Sequence, residues 1–370
     1  MSGRIYSLDS MRIIAMVFVV IIHTDPFVGI GVYGNLLNFT LETAARFAVP
    51  FFFMTSGYFL ALKFARSDPG AYYLNRVAKI SSIYIFGLLL TFPVFLTGTA
   101  VQARLNGESV VYTLGAMTAE AIEPAELFYY GTSVSEILWF LPALIFAYTL
   151  IYAFVRVEKA SYILPVAIGF HIIGLLGASY TMFIDIPFRI RDGLFFGFFY
   201  TTLGYAVYSY DWQPSVKHSR RYLAATVVCV VFHFAERYAL GYLLTGETFA
   251  DGVYSPSYTI GTALVTLTLF LFLLSRPNLT ADTSLPSWGI YAVGVYVVHP
   301  SVLYVLNGAG EGLTIAGIVV AETLWWHLFL TPAVFFGSLG LYMLAERLEI
   351  IEIRGSHLPS LARLRNRPPG

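Results

Sequence analysis

Read from the N-terminus, apolar positions come in continuous runs of about twenty residues bounded by polar or Pro/Gly turns, not in alternating or one-sided patterns. The runs predict about ten helical spans, near 6–24, 41–62, 77–98, 136–156, 161–179, 193–210, 221–243, 258–275, 288–306 and 320–346. Each is long enough to cross the hydrocarbon core of a bilayer as a helix, where every backbone hydrogen bond closes within its own segment. Continuity argues against barrel strands, whose apolar residues alternate. The stretch 104–135, with Gly107-Glu108-Ser109 and Gly131-Thr132-Ser133, reads as a long non-cytoplasmic loop carrying one surface helix. No internal repeat and no second soluble domain is visible, so the expected organisation is one transmembrane domain over 1–346 and a basic tail over 347–370.

Composition agrees with this reading. The 370 residues are 57% hydrophobic, 17% aromatic and only 12% charged, with a mean hydropathy of +0.71. A water-soluble domain of that make-up would expose large apolar patches, whereas lipid rewards them. A formal net charge of zero gives nucleic acid no electrostatic footing. The single cysteine, Cys229, sits in an apolar run as a small hydrophobe and rules out a disulfide framework or a CxxC metal site. No cleavable leader is expected: Asp9 and Arg12 interrupt the first run, and no small-residue cleavage site follows it.

Lys and Arg set the orientation. Arg4, Arg12, Lys63, Arg66, Arg76 and Lys79 fall on one side, as do the later basic residues through Arg347 and those of the tail. Only Arg46, Arg104, Arg189, Arg191 and Arg237 fall on the other. Basic residues are retained on the cytoplasmic side during insertion, so with an even number of spans both termini are predicted to be cytoplasmic, in a multi-pass protein of the cell membrane. The tail is most simply solvated or headgroup-facing.

An ionisable side chain inside a bilayer costs about 2.5–3.5 kcal/mol on insertion scales, so each one needs a reason. Arg12 and His23 are eleven residues apart, which returns them to within about 20° of one helix face and separates them by about 16 Å along the axis. They can line one interior path. Equally, Arg12 can snorkel to the surface beside Asp9, and His23 can be an interfacial histidine. His299 lies at a similar depth in a span running the same way, so the two histidines can meet in the outer half of the bundle. Pro300 after it frees a carbonyl one turn earlier. Glu42 and Arg46, an i,i+4 step apart, stand at the outer mouth and either pair with each other or meet a substrate. Arg189, Arg191 and Asp192 lie on the same side. Trp139 is placed to stack on a sugar ring or to anchor the interface.

The sequence contains no phosphate-cradling glycine loop, G-x-S-x-G elbow, zinc site or H-E-x-x-H pair. Acid–base work therefore falls to histidine.

Several segments resemble one family. Leu8-Asp9-Ser10-Met11-Arg12-Ile13-Ile14-Ala15 followed by His23 is similar to the L-D-x-L-R-x-x-A opening and R-x10-H signature of the acyltransferase-3 family. Val49-Pro50-Phe51-Phe52-Phe53 through Ser56-Gly57-Tyr58, Leu138-Trp139-Phe140-Leu141, Arg191-Asp192-Gly193-Leu194-Phe195-Phe196-Gly197, and Tyr296-Val297-Val298-His299-Pro300 resemble further family motifs, in family order over about 300 residues. Met11 stands where the family prefers Leu, a conservative departure. The resemblance implies a ten-helix membrane enzyme of the compact form, without the SGNH-type domain of some members. Such an enzyme moves an acyl group, usually acetyl, from cytoplasmic acyl-CoA to a hydroxyl of an extracytoplasmic or lipid-linked glycan. Acyl-CoA is then a donor substrate and no cofactor is held; the partners are donor, acceptor and lipid.

The expected roles follow. Arg12, with Arg76 and Lys79, holds the donor; His23 acts as general base or, alternatively, as acyl carrier; His299 orients it or shares its proton. Arg46, Arg191, Trp139, Glu42 and Tyr296 serve the acceptor. The rival class is a transporter or flippase for a lipid-linked saccharide, with Arg12 and His23 on its path. Against it stands the lack of repeat symmetry and of paired broken helices.

Overall fold

The computed structural model describes residues 4–182, 184, 186, 190 and 192–348. Within them the chain is almost wholly helical. Its helices are α1 (Tyr6–Thr24), α2 (Gly31–Ala45), α3 (Ala48–Phe64), α4 (Pro69–Leu105), α5 (Val110–Ala121), α6 (Phe140–Arg156) and α7 (Ile163–Ala178) in the first half. They continue with α8 (Phe198–Ser209), α9 (Ser219–Tyr238), α10 (Ile260–Ser275), α11 (Leu285–Trp288), α12 (Ala292–Gly312) and α13 (Leu324–Arg347). One two-stranded hairpin, Thr314–Ile315 with Ile318–Val319, joins the last two.

Among the described residues, seven helical segments are long and apolar enough to cross a membrane: α1, the joined α2–α3 stretch Gly31–Phe64, α4, α7, α9, α11–α12 and α13. Helices α6 and α10 are apolar but shorter, 17 and 16 residues. The predicted span 193–210 is a π-helical turn, Gly193–Gly197, running into the 12-residue α8.

Several boundaries differ from the sequence reading, most of all at the second and third spans. The expected span 41–62 starts inside α2, because the chain breaks at Arg46-Phe47 and α2 reaches back to Gly31. An apolar run carries no mark of such a break. Helix α4 continues past 98 to Leu105, since no stop signal precedes Asn106-Gly107, where Gly107 takes φ +74. Residues 349–370 of the expected tail lie outside the described residues.

Side chains pin the helix ends at what we call the basic end of the bundle. Ser7 donates to the carbonyl of Leu273 (2.8 Å), Arg276 donates to Ser219 (3.0 Å), and Arg4 donates to the carbonyl of Pro286 (2.7 Å). The starts of α1 and α9, the end of α10 and the α11 turn therefore share this end. Tyr73 at the start of α4 stacks on Tyr152 at the end of α6, their ring centroids 4.3 Å apart. His23, at the last turn of α1, belongs to the opposite, far end.

Backbone contact fixes the centre. A Cβ built on Gly57 of α3 would lie 1.8 Å from the carbonyl oxygen of Thr201, and one on Gly204 of α8 would lie 1.8 Å from that of Met54. The two glycines let α3 and α8 touch main chain to main chain. Helices in lipid associate through such van der Waals contact between small residues, since lipid tails are as apolar as the side chains.

Candidate active site

Arg12, Met16, Val19 and His23 recur at steps of four, three and four along α1, so they occupy one face of the helix. At the far end of that face the imidazole of His23 stands beside that of His299 from α12, with ring centroids 5.5 Å apart. His299 is fully buried. Pro300 has no N–H, so the carbonyl of Tyr296 lacks its helical donor. The ring of His299 takes that place: Nδ1 donates to the Tyr296 carbonyl (2.8 Å) and approaches that of Val295 (3.2 Å). Carbonyls only accept, so Nδ1 carries the hydrogen, and in the neutral ring Nε2 presents a lone pair. That Nε2 is buried and has no hydrogen-bond partner among the described residues. The meeting of the two histidines, read from depth alone, is what the structure places here.

Next to His23 runs a narrow apolar cavity of about 50 Å³. Met16, Val19 and His23 form its α1 wall, and Ala292, Val293 and Tyr296 its α12 wall. The seven helical steps from Met16 to His23 rise about 10 Å, so the cavity is a slot along the bundle axis. Val293, at the end of the slot nearer the basic residues, is half-exposed, while Met16 and Val19 are buried. Tyr296 is held by its hydroxyl, which donates to the carbonyl of Ile137 (2.6 Å).

A second cavity, of about 650 Å³, opens on the far side. About half of its lining is polar, with Glu120, Glu126 and Glu136 among hydroxyls such as Thr132, Ser133 and Ser255, and the rest is apolar, including Phe95, Met117 and Ile190. Trp139 lines both cavities. The indole is buried, packed against Phe53 (5.9 Å) and edge-on to Phe196 (5.6 Å). Phe196 lies in the π-helical turn that begins at Gly193, where Asp192 accepts from the N–H groups of Leu194 (2.8 Å) and Phe195 (3.1 Å).

At the basic end the expected donor residues converge. Asp9 accepts from Arg4 (2.6 Å) and Arg12 (3.2 Å), and the Arg12 guanidinium lies over the ring of Phe59. Arg76 comes near enough for its charge to act on both Arg12 and Lys79. It also donates to the hydroxyl of Tyr148, which in turn donates to the carbonyl of Ser56 (3.1 Å). The Nε of Arg76 is buried with no partner among the described residues. This cluster therefore offers donors to an anion.

Glu42 and Arg46 are engaged with each other. They form an ion pair, and Ser255 donates to Glu42 (3.1 Å). Arg237, fully buried, lies 3.9 Å from the same carboxylate and donates to the carbonyls of Tyr254 (3.1 Å) and Pro256 (3.3 Å). Arg46 and Glu42 thus reach the large cavity through Ser255. Arg191, expected beside them, lies outside the described residues, as does Arg189. The sequence reading did not single out Tyr148, Ser255 or Asp25. Nor did it foresee the burial of Arg237, although Glu236-Arg237 inside an apolar run was its signal. Asp25, just beyond α1, has its carboxyl raised to about 6 by burial and then by the nearby charge of Glu42, with Arg46 opposing. No group of His, Cys, Asp and Glu side chains among the described residues is arranged to hold a metal ion.

A family model described as an acyltransferase domain, of the acyltransferase-3 type, matches residues 5–343. The chain belongs to the acyltransferase-3 family. It is an acyltransferase, and with its apolar helices it is a multi-pass membrane protein. An amino-acid racemase of Enterococcus faecalis is 25% identical over 341 residues, covering 85% of this acyltransferase and 43% of the racemase. A serine/alanine racemase of Enterococcus gallinarum is 29% identical over 208 residues, covering 53% of the acyltransferase and 27% of the relative. The chain thus spans less than half the length of the curated relatives it matches. No solved structure matches it.

Proposed function

We propose that this acyltransferase moves an acetyl group from acetyl-CoA on the cytoplasmic side of the cell membrane to a hydroxyl of an extracytoplasmic or lipid-linked glycan. In this reading the chain crosses the membrane about ten times with both termini cytoplasmic, so that the basic end faces the donor and the large cavity faces the acceptor. One observation carries the reading: a single face of α1 bears Arg12 at a cluster of cations and His23 beside His299, with an apolar slot between them.

The chemistry follows from that arrangement. Arg12, Arg76 and Lys79 hold phosphate groups of the donor by charge and hydrogen bonds. The slim acyl-bearing arm lies in the slot. His23 takes the proton of the acceptor hydroxyl as its oxygen attacks the thioester carbonyl; the C–S bond breaks, and the departing thiolate recovers the proton. A positioned general base contributes about 10²–10⁴-fold. The lone pair on His299 Nε2 orients the reacting histidine or shares its proton. Trp139, Tyr296, Arg46, Glu42 and Arg191 serve the acceptor side.

The test is release of free thiol from acetyl-CoA by protein reconstituted in vesicles, with and without an envelope-glycan extract. Glycan-stimulated release that disappears in His23→Ala and Arg12→Ala supports the reading; release that is unchanged in correctly inserted His23→Ala overturns the role of the base. The relatives named for racemisation of amino acids add a second acceptor class to the same assay, an amino-acid hydroxyl, offered as free serine.

A further inference from the structure

Trp139 is the wall shared by two cavities of different character, and this juxtaposition carries a specificity assignment that rests on the reading above. On one side is the apolar slot of about 50 Å³ that reaches His23; on the other is a space of about 650 Å³ whose lining mixes carboxylates and hydroxyls with apolar side chains. We infer that Trp139 is the end stop of the acyl slot and a screen between thioester and water: its indole sets the acyl length at acetyl and limits the access of the vestibule's water to the carbonyl.

Three observations support the assignment. Met16, Val19, Leu141 and Ala292, all buried, form the inner wall of the slot, so a chain entering at the half-exposed Val293 end is led along α1. It advances along α1 toward His23, and Trp139 stands in the same lining while also bordering the larger cavity. The indole is itself immobilised by Phe53 and by Phe196. The Phe196 contact is set by the π-helical turn that Asp192 caps, so the stop is built on rigid structure. Lastly, the slot is much the smaller of the two cavities, about 50 Å³ against about 650 Å³, so the constricted side of the indole is the one that faces His23. A stop of this kind discriminates by methylene count, at roughly 10-fold or more per methylene in a tight apolar site.

The experiment is a donor series on the full chain in vesicles: acetyl-, butyryl- and hexanoyl-CoA, with thiol release measured in the presence and absence of an envelope-glycan extract, for Trp139→Phe, Trp139→Leu and Trp139→Ala. The expected result is graded. Wild type and Trp139→Phe favour acetyl; Trp139→Leu and then Trp139→Ala raise the butyryl-to-acetyl ratio of kcat/KM by about 10-fold or more, and acceptor-independent release rises with them. Loss of activity that is uniform across chain lengths in folded Trp139→Leu, with no rise in acceptor-independent release, overturns the assignment and leaves Trp139 a packing or sugar-stacking residue. Wild type that releases no thiol from any donor overturns the acyl-CoA reading itself, and the assignment falls with it. A wild type that consumes all three donors equally overturns the assignment alone.

Discussion

His299 donates its Nδ1 hydrogen to the carbonyl of Tyr296 at 2.8 Å, the carbonyl that Pro300 leaves without a helical donor. The proline therefore fixes the histidine's tautomer and aims Nε2 away from the helix. Pro300→Ala restores an N–H that competes for that carbonyl. The expected outcome is a folded protein whose kcat falls by about 10-fold while KM for acetyl-CoA stays put, because geometry at the histidine pair is lost and donor contacts are not. His299→Ala should cost more, about 10²-fold or greater in kcat. Steady-state kinetics with thiol detection checks both.

At the other end of the same helix face, Arg12 and Arg76 repel each other across a site whose nearby carboxylate, Asp9, is shared with Arg4. An anionic donor relieves that repulsion. Arg76→Ala and Arg12→Lys should each raise KM for acetyl-CoA by about 10-fold, since an ammonium cannot reproduce the guanidinium fork. The KM increase should shrink at high salt, where charge attraction is screened in the wild type too. Equal KM values in wild type and variants would remove Arg12 and Arg76 from the donor site.

How much of this was legible in the sequence depended on what each feature left in the pattern. The helices came through because apolar runs are long and continuous, seven of them long enough to span a membrane, and the His23–His299 meeting came through because depth can be counted from helix ends. The break at Arg46-Phe47 did not, since both flanks are apolar and its cause is tertiary: Glu42 and Arg46 turn inward to each other and to Ser255, more than 200 residues later. The apolar run around Glu236-Arg237 hinted at burial of Arg237, but its partners were invisible, because the carbonyls of Tyr254 and Pro256 that satisfy it belong to a loop whose position no local pattern encodes.

Asp25 makes stability depend on pH. Its carboxyl is raised to about 6, above the unfolded value of about 3.9, by burial and by Glu42. The folded state thus favours the protonated form, a contribution fully present below about pH 4 and lost as pH rises through about 6. Asp25→Asn is neutral throughout. Its melting temperature should match wild type near pH 4 and exceed it increasingly toward pH 7, by a small margin because the residue, though partly desolvated, keeps contact with solvent that screens it. A difference that is the same at both pH values would show that the carboxyl titrates normally.

Gly57 and Gly204 allow α3 and α8 no room for a side chain, each Cβ position lying 1.8 Å from a facing carbonyl oxygen. Gly57→Val should force the helices apart and abolish a monodisperse detergent-solubilised species by size exclusion. Gly57→Ala should lower the melting temperature without changing the acyl-length preference, which is set elsewhere.

The pair formed by Glu42 and Arg46 separates a structural from a substrate role. Glu42 is 1% exposed and within 3.9 Å of the fully buried Arg237. Glu42→Gln leaves two buried cations short of their carboxylate, at a cost of about 3–5 kcal/mol. Replacing Arg46 by Met in the same chain removes one of those cations, so Glu42→Gln/Arg46→Met should recover part of the lost stability. If these residues hold only the fold, activity per folded molecule recovers in the double variant along with its melting temperature. If Arg46 also positions the acceptor through Ser255, stability returns while KM for the glycan stays elevated, and measuring both on the same preparation decides between the two.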